Sequence, residues 1–276
     1  MALQFSKMQG AGNDFVVLDC RKNKQLPDIE TIRKMGDRHF GIGFDQLLSI
    51  EDPISDNAVV SYRILNQDGS FAQQCGNGAR CVAHWLVQSG AVSTETFAMD
   101  SPAGLIQVKH AGNQYTLSMG KPHFARKDIP IIAEQVSLHY QLPIEGRNIE
   151  FSAVSMGNPH AVIQVENCDT APVEKWGKVF QASHVFPEGI NVGFAEVVNS
   201  DQIRLRVFER GVGETLACGS GACAAAVSFI RLGLVERQLD VHLPGGILHI
   251  EWLSDDAEVL MTGPAVLVYN GEFLND

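Results

Sequence analysis

The chain has 276 residues, 45% of them apolar and 19% charged, with a formal net charge of -11. It is long enough for two modest domains, each with its own core. The acidic balance excludes a general nucleic-acid binder, whose phosphate contacts need Lys and Arg, and a polybasic membrane-surface protein. The first residues lack a basic start followed by an apolar stretch, and no apolar run approaches the ~18 residues that span a bilayer. A cytoplasmic protein that meets neither membrane nor nucleic acid is therefore expected. The cysteines, Cys20, Cys75, Cys81, Cys168, Cys218 and Cys223, are too sparse for a disulfide framework and contain no Cys-x-x-Cys. Reduced thiols and no metal site are expected.

In chain order, the pattern predicts a short helix over 29–38 and a β-branched, alternating strand over 58–65. Asn66-Gln67-Asp68-Gly69 reads as a turn. Apolar residues at Cys81, Val82, Trp85 and Leu86 have helical spacing and predict a helix over 77–88, closed by Gly90. Strands follow over 95–99, 105–110 and 114–119. Residues 120–130, with their glycine and prolines, read as the crossing into a second half. There a helix is expected over 173–182, a strand over 202–208 and a helix over 220–232, followed by strands over 241–243, 247–252 and 258–261. A last strand over 265–269 would return to the first half after Gly263-Pro264. The 220–232 helix carries Ala222, Ala224, Ala225, Ala226, Val227, Phe229 and Ile230, so it is apolar on nearly all sides and must be buried all round. Helices separate pairs and triples of strands here, so simple βαβ winding is not expected.

The two halves repeat one another. Cys75-Gly76-Asn77-Gly78 and Cys218-Gly219-Ser220-Gly221 stand 143 residues apart. Asn66 precedes the first cysteine by nine residues and Glu209 precedes the second by nine. Ser101-Pro102-Ala103-Gly104 is echoed by Leu243-Pro244-Gly245-Gly246, Met119-Gly120 by Met261-Thr262-Gly263, and Gly12-Asn13-Asp14 by Gly157-Asn158-Pro159. Each match alone is an ordinary turn similarity; a shared offset makes them a repeat. The expected fold is α/β of the α+β type. It comprises two pseudo-symmetric repeats, each a curved mixed or antiparallel sheet wrapped around a central helix, with the active site in the cleft between them. Residues 1–118 with 264–276 would form one domain and 119–263 the other.

The chemistry follows from the two cysteines. An amino-acid α-proton is very weakly acidic, and inverting the carbon requires removal on one face and delivery on the other. One thiolate and one thiol on opposite faces do this without a cofactor, exchanging protonation states at each turnover. Both cysteines lie just before predicted helices, where unpaired N–H groups and the helix dipole favour an anion. Gly76, Asn77, Gly219 and Ser220 would cradle a carboxylate there. An isolated cysteine is most often a buried, inert side chain, and Cys81 and Cys223, inside the helices, read that way; the matched pair does not.

The segment Asn66-Gln67-Asp68-Gly69-Ser70, followed after four residues by Cys75-Gly76-Asn77-Gly78-Ala79-Arg80, resembles the signature of the diaminopimelate epimerase family. Glu209-Arg210-Gly211 and Ala217-Cys218-Gly219-Ser220-Gly221-Ala222 match as well, and similar segments run from Gly10 to Pro264. The resemblance implies interconversion of LL- and meso-2,6-diaminopimelate without pyridoxal phosphate or metal, serving lysine and peptidoglycan synthesis. It implies Cys75 and Cys218 as the acid/base residues. It places Gly76, Asn77, Gly219, Ser220, Glu209 and His160 at the reacting end of the substrate. Asn13, Gln46, Asn66, Asn158, Asn191 and Arg210 fall at the distal end. Asp14 and Arg80 fit the signature as scaffold residues, and the family suggests a homodimer. The set suits a substrate with two ammonium and two carboxylate groups: Arg210 can grip a carboxylate in bidentate fashion, amides serve a zwitterion, and Glu209 accepts from an ammonium. Taken singly, each Asn is a turn former, Glu209-Arg210 a solvated charge pair, and His160 a structural histidine. Three rival readings remain open: a proline racemase type on the same two-cysteine plan, a dithiol redox or metal protein, and a binding protein with the same cleft.

Overall fold

Strand pairing and helix burial divide the chain into two compact units, Met1–Ser118 with Thr262–Asp276, and Met119–Met261. The computed structural model describes every residue except Met1, Asn23, Gln74, Asn275 and Asp276. In chain order the first unit runs β1 (Ala2–Gly10), β2 (Asn13–Asp19), α1 (Ile29–Gly36), β3 (Gln46–Glu51), β4 (Ser61–Asn66), β5 (Phe71–Ala72), α2 (Gly76–Gln88), β6 (Thr96–Ser101), β7 (Gly104–Ala111) and β8 (Gln114–Ser118). The second runs β9 (Tyr140–Ile144), β10 (Arg147–Ser155), β11 (Pro159–Gln164), α3 (Val173–Ala182), β12 (Asn191–Asn199), β13 (Gln202–Glu209), β14 (Gly213–Thr215), α4 (Gly219–Arg231), β15 (Gln238–Leu243) and β16 (Gly246–Glu251), and β17 (Leu260–Pro264) begins in it and ends in the first. The last strand, β18 (Val266–Leu274), pairs antiparallel with β1 and so belongs to the first unit.

The repeat read from the sequence extends to most of the strand pairings. β1–β2 and β10–β11 are antiparallel, β2–β3 and β11–β12 parallel, and β3–β4 and β12–β13 antiparallel. β4–β5 matches β13–β14, the parallel pair β4–β6 matches β13–β15, and β6–β7 matches β15–β16. α1 and α3 therefore each join two strands that lie side by side and parallel, while α2 and α4 follow the short strands β5 and β14 and lead back to the parallel neighbours of β4 and β13. This corrects the expectation that βαβ winding is absent. The strands that flank α1 and α3, namely β2, β3, β11 and β12, are continuous apolar runs buried on both faces, and such runs carry no alternation by which to recognise them.

The helices end close to where their patterns end. The Asp28 carboxylate caps α1 by accepting from the Thr31 N–H at 2.8 Å. α4 is buried along nearly its whole length, from Gly219 to Ile230, and touches β10 to β13, β15 and β16. Its run of alanines lets strands approach on every side, while Val227, Phe229 and Ile230 each contribute about 1.5–3 kcal/mol of burial. α2 holds the same place against β1, β2, β3, β8 and β18. Inside it Arg80, with no exposed surface, donates to Asn77 Oδ1 at 2.7 Å and to the Pro264 carbonyl at 3.3 Å. That second bond ties the helix to the returning chain. The second unit adds an aromatic core in which Phe151 meets Phe180 and Phe186 edge to face.

Residues 120–130 lie in the second unit, which begins at Met119. Val259 donates its N–H to the Gly120 carbonyl, His123 and Ser155 exchange backbone bonds, and the segment belongs to the second unit. The second unit ends at Met261 and the first resumes at Thr262, within β17.

Candidate active site

Parallel pairing places the first residues of β2 and β3 at one end of the sheet, and the antiparallel β4 brings its last residue to the same end. Asn13, Gln46 and Asn66 occupy these positions, with Gln46 directly opposite Asn66. The start of α2 arrives there too, because β5 turns the chain back from β4. The second unit repeats the construction. Asn158 precedes β11, Asn191 opens β12 opposite His160, and Glu209 ends β13. The strand residues named from the sequence thus lie at one end of their own unit's sheet.

Cys75 is the N-cap of α2, in an extended conformation, and its sulfur accepts from the Gly78 N–H at 3.4 Å. Cys218 is the N-cap of α4. The second glycine of each motif is a packing requirement. A Cβ on Gly78 would lie 3.1 Å from Leu48 and 3.3 Å from Phe15; one on Gly221 would lie 3.1 Å from Val207 and 3.3 Å from the Cys218 sulfur. A side chain here would press on the sheet and on the thiol, so glycine lets the first helical turn sit close to both.

In the first unit, the Cys75 thiol points to Asn13 Oδ1 at 3.7 Å, and Asn13 Nδ2 donates to Asp45 Oδ2 at 2.6 Å. Gln46 Nε2 donates to Asn66 Oδ1 at 3.1 Å, and Asn66 Nδ2 to Ser70 Oγ at 3.0 Å. Gln46 Oε1 is buried with no hydrogen-bond partner among the described residues. Asp14, next to Asn13, is held by Lys7 and Arg38. Burial pushes its carboxyl up, but those two cations outweigh the burial and bring it to about 2.

In the second unit, His160 Nε2 lies 3.0 Å from Asn158 Oδ1 and 3.1 Å from Ser220 Oγ, and Ser220 Oγ lies 3.6 Å from the Cys218 sulfur. Burial, reinforced by Arg210, drives the His160 imidazole down to about 3, so the ring is neutral. With Asn158 presenting its oxygen, the ring proton sits on Nε2 and Ser220 can turn its hydroxyl toward the thiol. Asn191 joins two elements: its Nδ2 donates to the Pro159 carbonyl and its Oδ1 accepts from the Arg210 N–H, both at 2.9 Å. The Arg210 side chain is exposed, with Nη1 on the Glu188 carbonyl at 2.9 Å.

The Cys218 thiol is raised well above its ordinary value, first by burial and then by the Glu209 carboxylate. Ser220 and the Gly221 N–H pull weakly the other way, the latter without completing a capping bond. Glu209 is fixed by Thr215, whose hydroxyl donates to Oε1 at 2.5 Å. Cys218 therefore rests as a thiol with a carboxylate beside it. Asp45 and Thr215 escape the sequence reading. Asp45 stands next to Gln46, and nothing in its local pattern marks it.

The family model for diaminopimelate epimerase matches residues 5–125 and 152–268. The chain belongs to the diaminopimelate epimerase family. A protein named diaminopimelate epimerase from Xanthomonas campestris pv. campestris is 53% identical over 274 residues, covering 98% of this chain and 96% of its own. One of the same name from Xylella fastidiosa is 50% identical over 271 residues, covering 98% and 95%. Among solved structures, a hydroxyproline epimerase from Agrobacterium vitis aligns with TM-score 0.71 at 15% identity, over 100% of this chain and 93% of its own. A PhzF-family phenazine biosynthesis protein from Bacillus anthracis aligns with TM-score 0.70 at 16% identity over all of both chains. At these identities the two structures speak for the fold alone. Family membership makes the chain an epimerase and removes the dithiol redox and binding-protein readings.

Proposed function

We propose that the protein interconverts LL- and meso-2,6-diaminopimelate without a cofactor or metal, using Cys75 and Cys218 as a two-base pair, within lysine and peptidoglycan synthesis. The observation that carries this reading is the pair of cysteines at equivalent helix N-caps in the two repeats of a chain that belongs to this family. In one direction the Cys75 thiolate, supported by the Gly78 N–H, takes the α-proton, and the Cys218 thiol delivers its own to the opposite face. In the other direction the roles exchange. The substrate's reacting ammonium beside Glu209 offsets the carboxylate that holds Cys218 protonated, so the charge on this sulfur becomes tolerable only with substrate bound. The helix N-termini at Gly76–Asn77 and Gly219–Ser220 would take the reacting carboxylate, with His160 holding Ser220.

At the distal end Arg210 would pair with the carboxylate, and Asn13, Gln46, Asn66, Asn158 and Asn191 would complete a zwitterion site. A plain amino acid leaves these groups unpaired and is rejected. The same reading takes the protein as a cytoplasmic homodimer. Among the described residues no helix is long and apolar enough to cross a membrane, and β18 exposes Val266, Val268 and Tyr269, a surface suited to self-association. The experiment is direct. Purified protein, treated with a chelator and a carbonyl reagent, is given LL-diaminopimelate, and the isomers are separated on a chiral column. Conversion to the meso form at an undiminished rate is expected. No conversion, or conversion only after a metal or pyridoxal phosphate is added, would overturn the proposal.

A further inference from the structure

Asp45 touches neither cysteine, yet it governs what Cys75 meets. A carboxylate can only accept hydrogen bonds, so its 2.6 Å contact with the Asn13 amide obliges that amide to turn its NH2 group toward Asp45. The carbonyl oxygen is then forced to the other side, where it lies 3.7 Å from the Cys75 sulfur. Were the amide reversed, its nitrogen would face the sulfur and its oxygen would oppose a carboxylate. Asp45 is itself locked. Oδ2 also accepts from the Asp14 N–H at 3.2 Å, Oδ1 accepts from Arg38 Nη2 at 2.7 Å, and its own N–H donates to the Asp14 carbonyl at 2.9 Å and to Asp14 Oδ1 at 3.1 Å.

Cys75 consequently stands between two opposed partners. The Gly78 N–H at 3.4 Å favours the thiolate. The Asn13 carbonyl can only accept, so it favours the thiol. A group that must both take and return a proton is served by this balance. We infer that Asp45 is a positioning residue: by fixing the direction of the Asn13 amide it holds Cys75 partly in the thiol form. The inference rests on Cys75 being an acid/base residue, but its consequence is read on the resting protein, without the epimerisation reaction.

The experiment is the pH dependence of Cys75 alkylation by iodoacetamide, read at this residue by peptide mass spectrometry, in the wild-type chain and in Asp45→Asn and Asp45→Ala. In both variants the Asn13 amide is free to reverse and donate to the sulfur, so the midpoint for Cys75 should fall by about one unit. Asp45→Asn keeps the size of the side chain and guards against a folding defect in Asp45→Ala. Asp14→Asn is the control: Asp14 shares the charge cluster but leaves the Asn13 side chain alone, so it should lower thermal stability while the Cys75 midpoint stays in place. A midpoint unchanged or raised in folded Asp45→Asn would overturn the inference. So would an equal fall in Asp14→Asn, which would make the effect a general loosening of the cluster.

Discussion

Replacing Gly177 by alanine should destabilise the second unit, although helix propensity alone predicts the reverse. Gly177 lies inside α3, where alanine is favoured over glycine by about 1 kcal/mol. Its Cβ, however, would fall 2.4 Å from Phe208 Cγ, 2.6 Å from Cδ1 and 2.8 Å from Cβ. Carbon atoms in van der Waals contact sit ~3.5–4.0 Å apart, so the helix and β13 must separate by about 1 Å. Phe208 cannot swing aside, because it is buried in the core with Phe180 and Val192. Overpacking of this kind costs about 1–3 kcal/mol. Set against the propensity gain, a net loss of about 1–2 kcal/mol is expected. Urea denaturation followed by circular dichroism measures it, and Gly177→Ala/Phe208→Leu completes a double-mutant cycle in which the smaller side chain should recover most of the loss. Phe208 immediately precedes Glu209, so the variant should also weaken turnover. A Gly177→Ala protein more stable than wild type, or a cycle with no coupling, would refute the packing argument.

His160 gives a pH signature of definite sign. Its imidazole is held at about 3 in the folded chain, whereas the unfolded chain takes up a proton near pH ~6.5. Stability is therefore unaffected above that value and is lost as pH falls from about 6.5 toward 3. Between pH 7.5 and 5 the wild type should lose about 2 kcal/mol more than His160→Asn; identical losses in denaturation curves at the two pH values would count against a buried neutral ring. Arg210→Ala should reduce kcat/KM for diaminopimelate by about 100-fold or more, as expected for a lost charged hydrogen-bonding clamp. The loss should be far smaller for an analogue without the distal amino-acid group, and equal losses would remove Arg210 from the distal site.

Much of the fold and site is legible because the sequence says some things twice. The glycine-flanked cysteines and the alanine-rich helix are strong local signals, and their shared offset makes the repeat visible in the amino-acid order itself. The amphipathic pattern of 173–182 coincides with α3 to the residue. The buried parallel strands are not legible: β2, β3, β11 and β12 are apolar on both faces, so the period on which strand reading depends is missing. Among the site residues, those at strand ends beside the cysteines can be named from a motif. Asp45 and Thr215 cannot, because what they do is decided by which atom of a neighbour they face.

The central claim is that two thiols act on one α-carbon, one from each side, and deuterium uptake tests it most directly. In heavy water, wild-type protein turning LL-diaminopimelate into the meso form should place solvent deuterium at the inverted carbon of the product. Cys75→Ala and Cys218→Ala, each still folded by circular dichroism, should each fail to invert it. Inversion without deuterium, or undiminished inversion in either variant, would contradict the account.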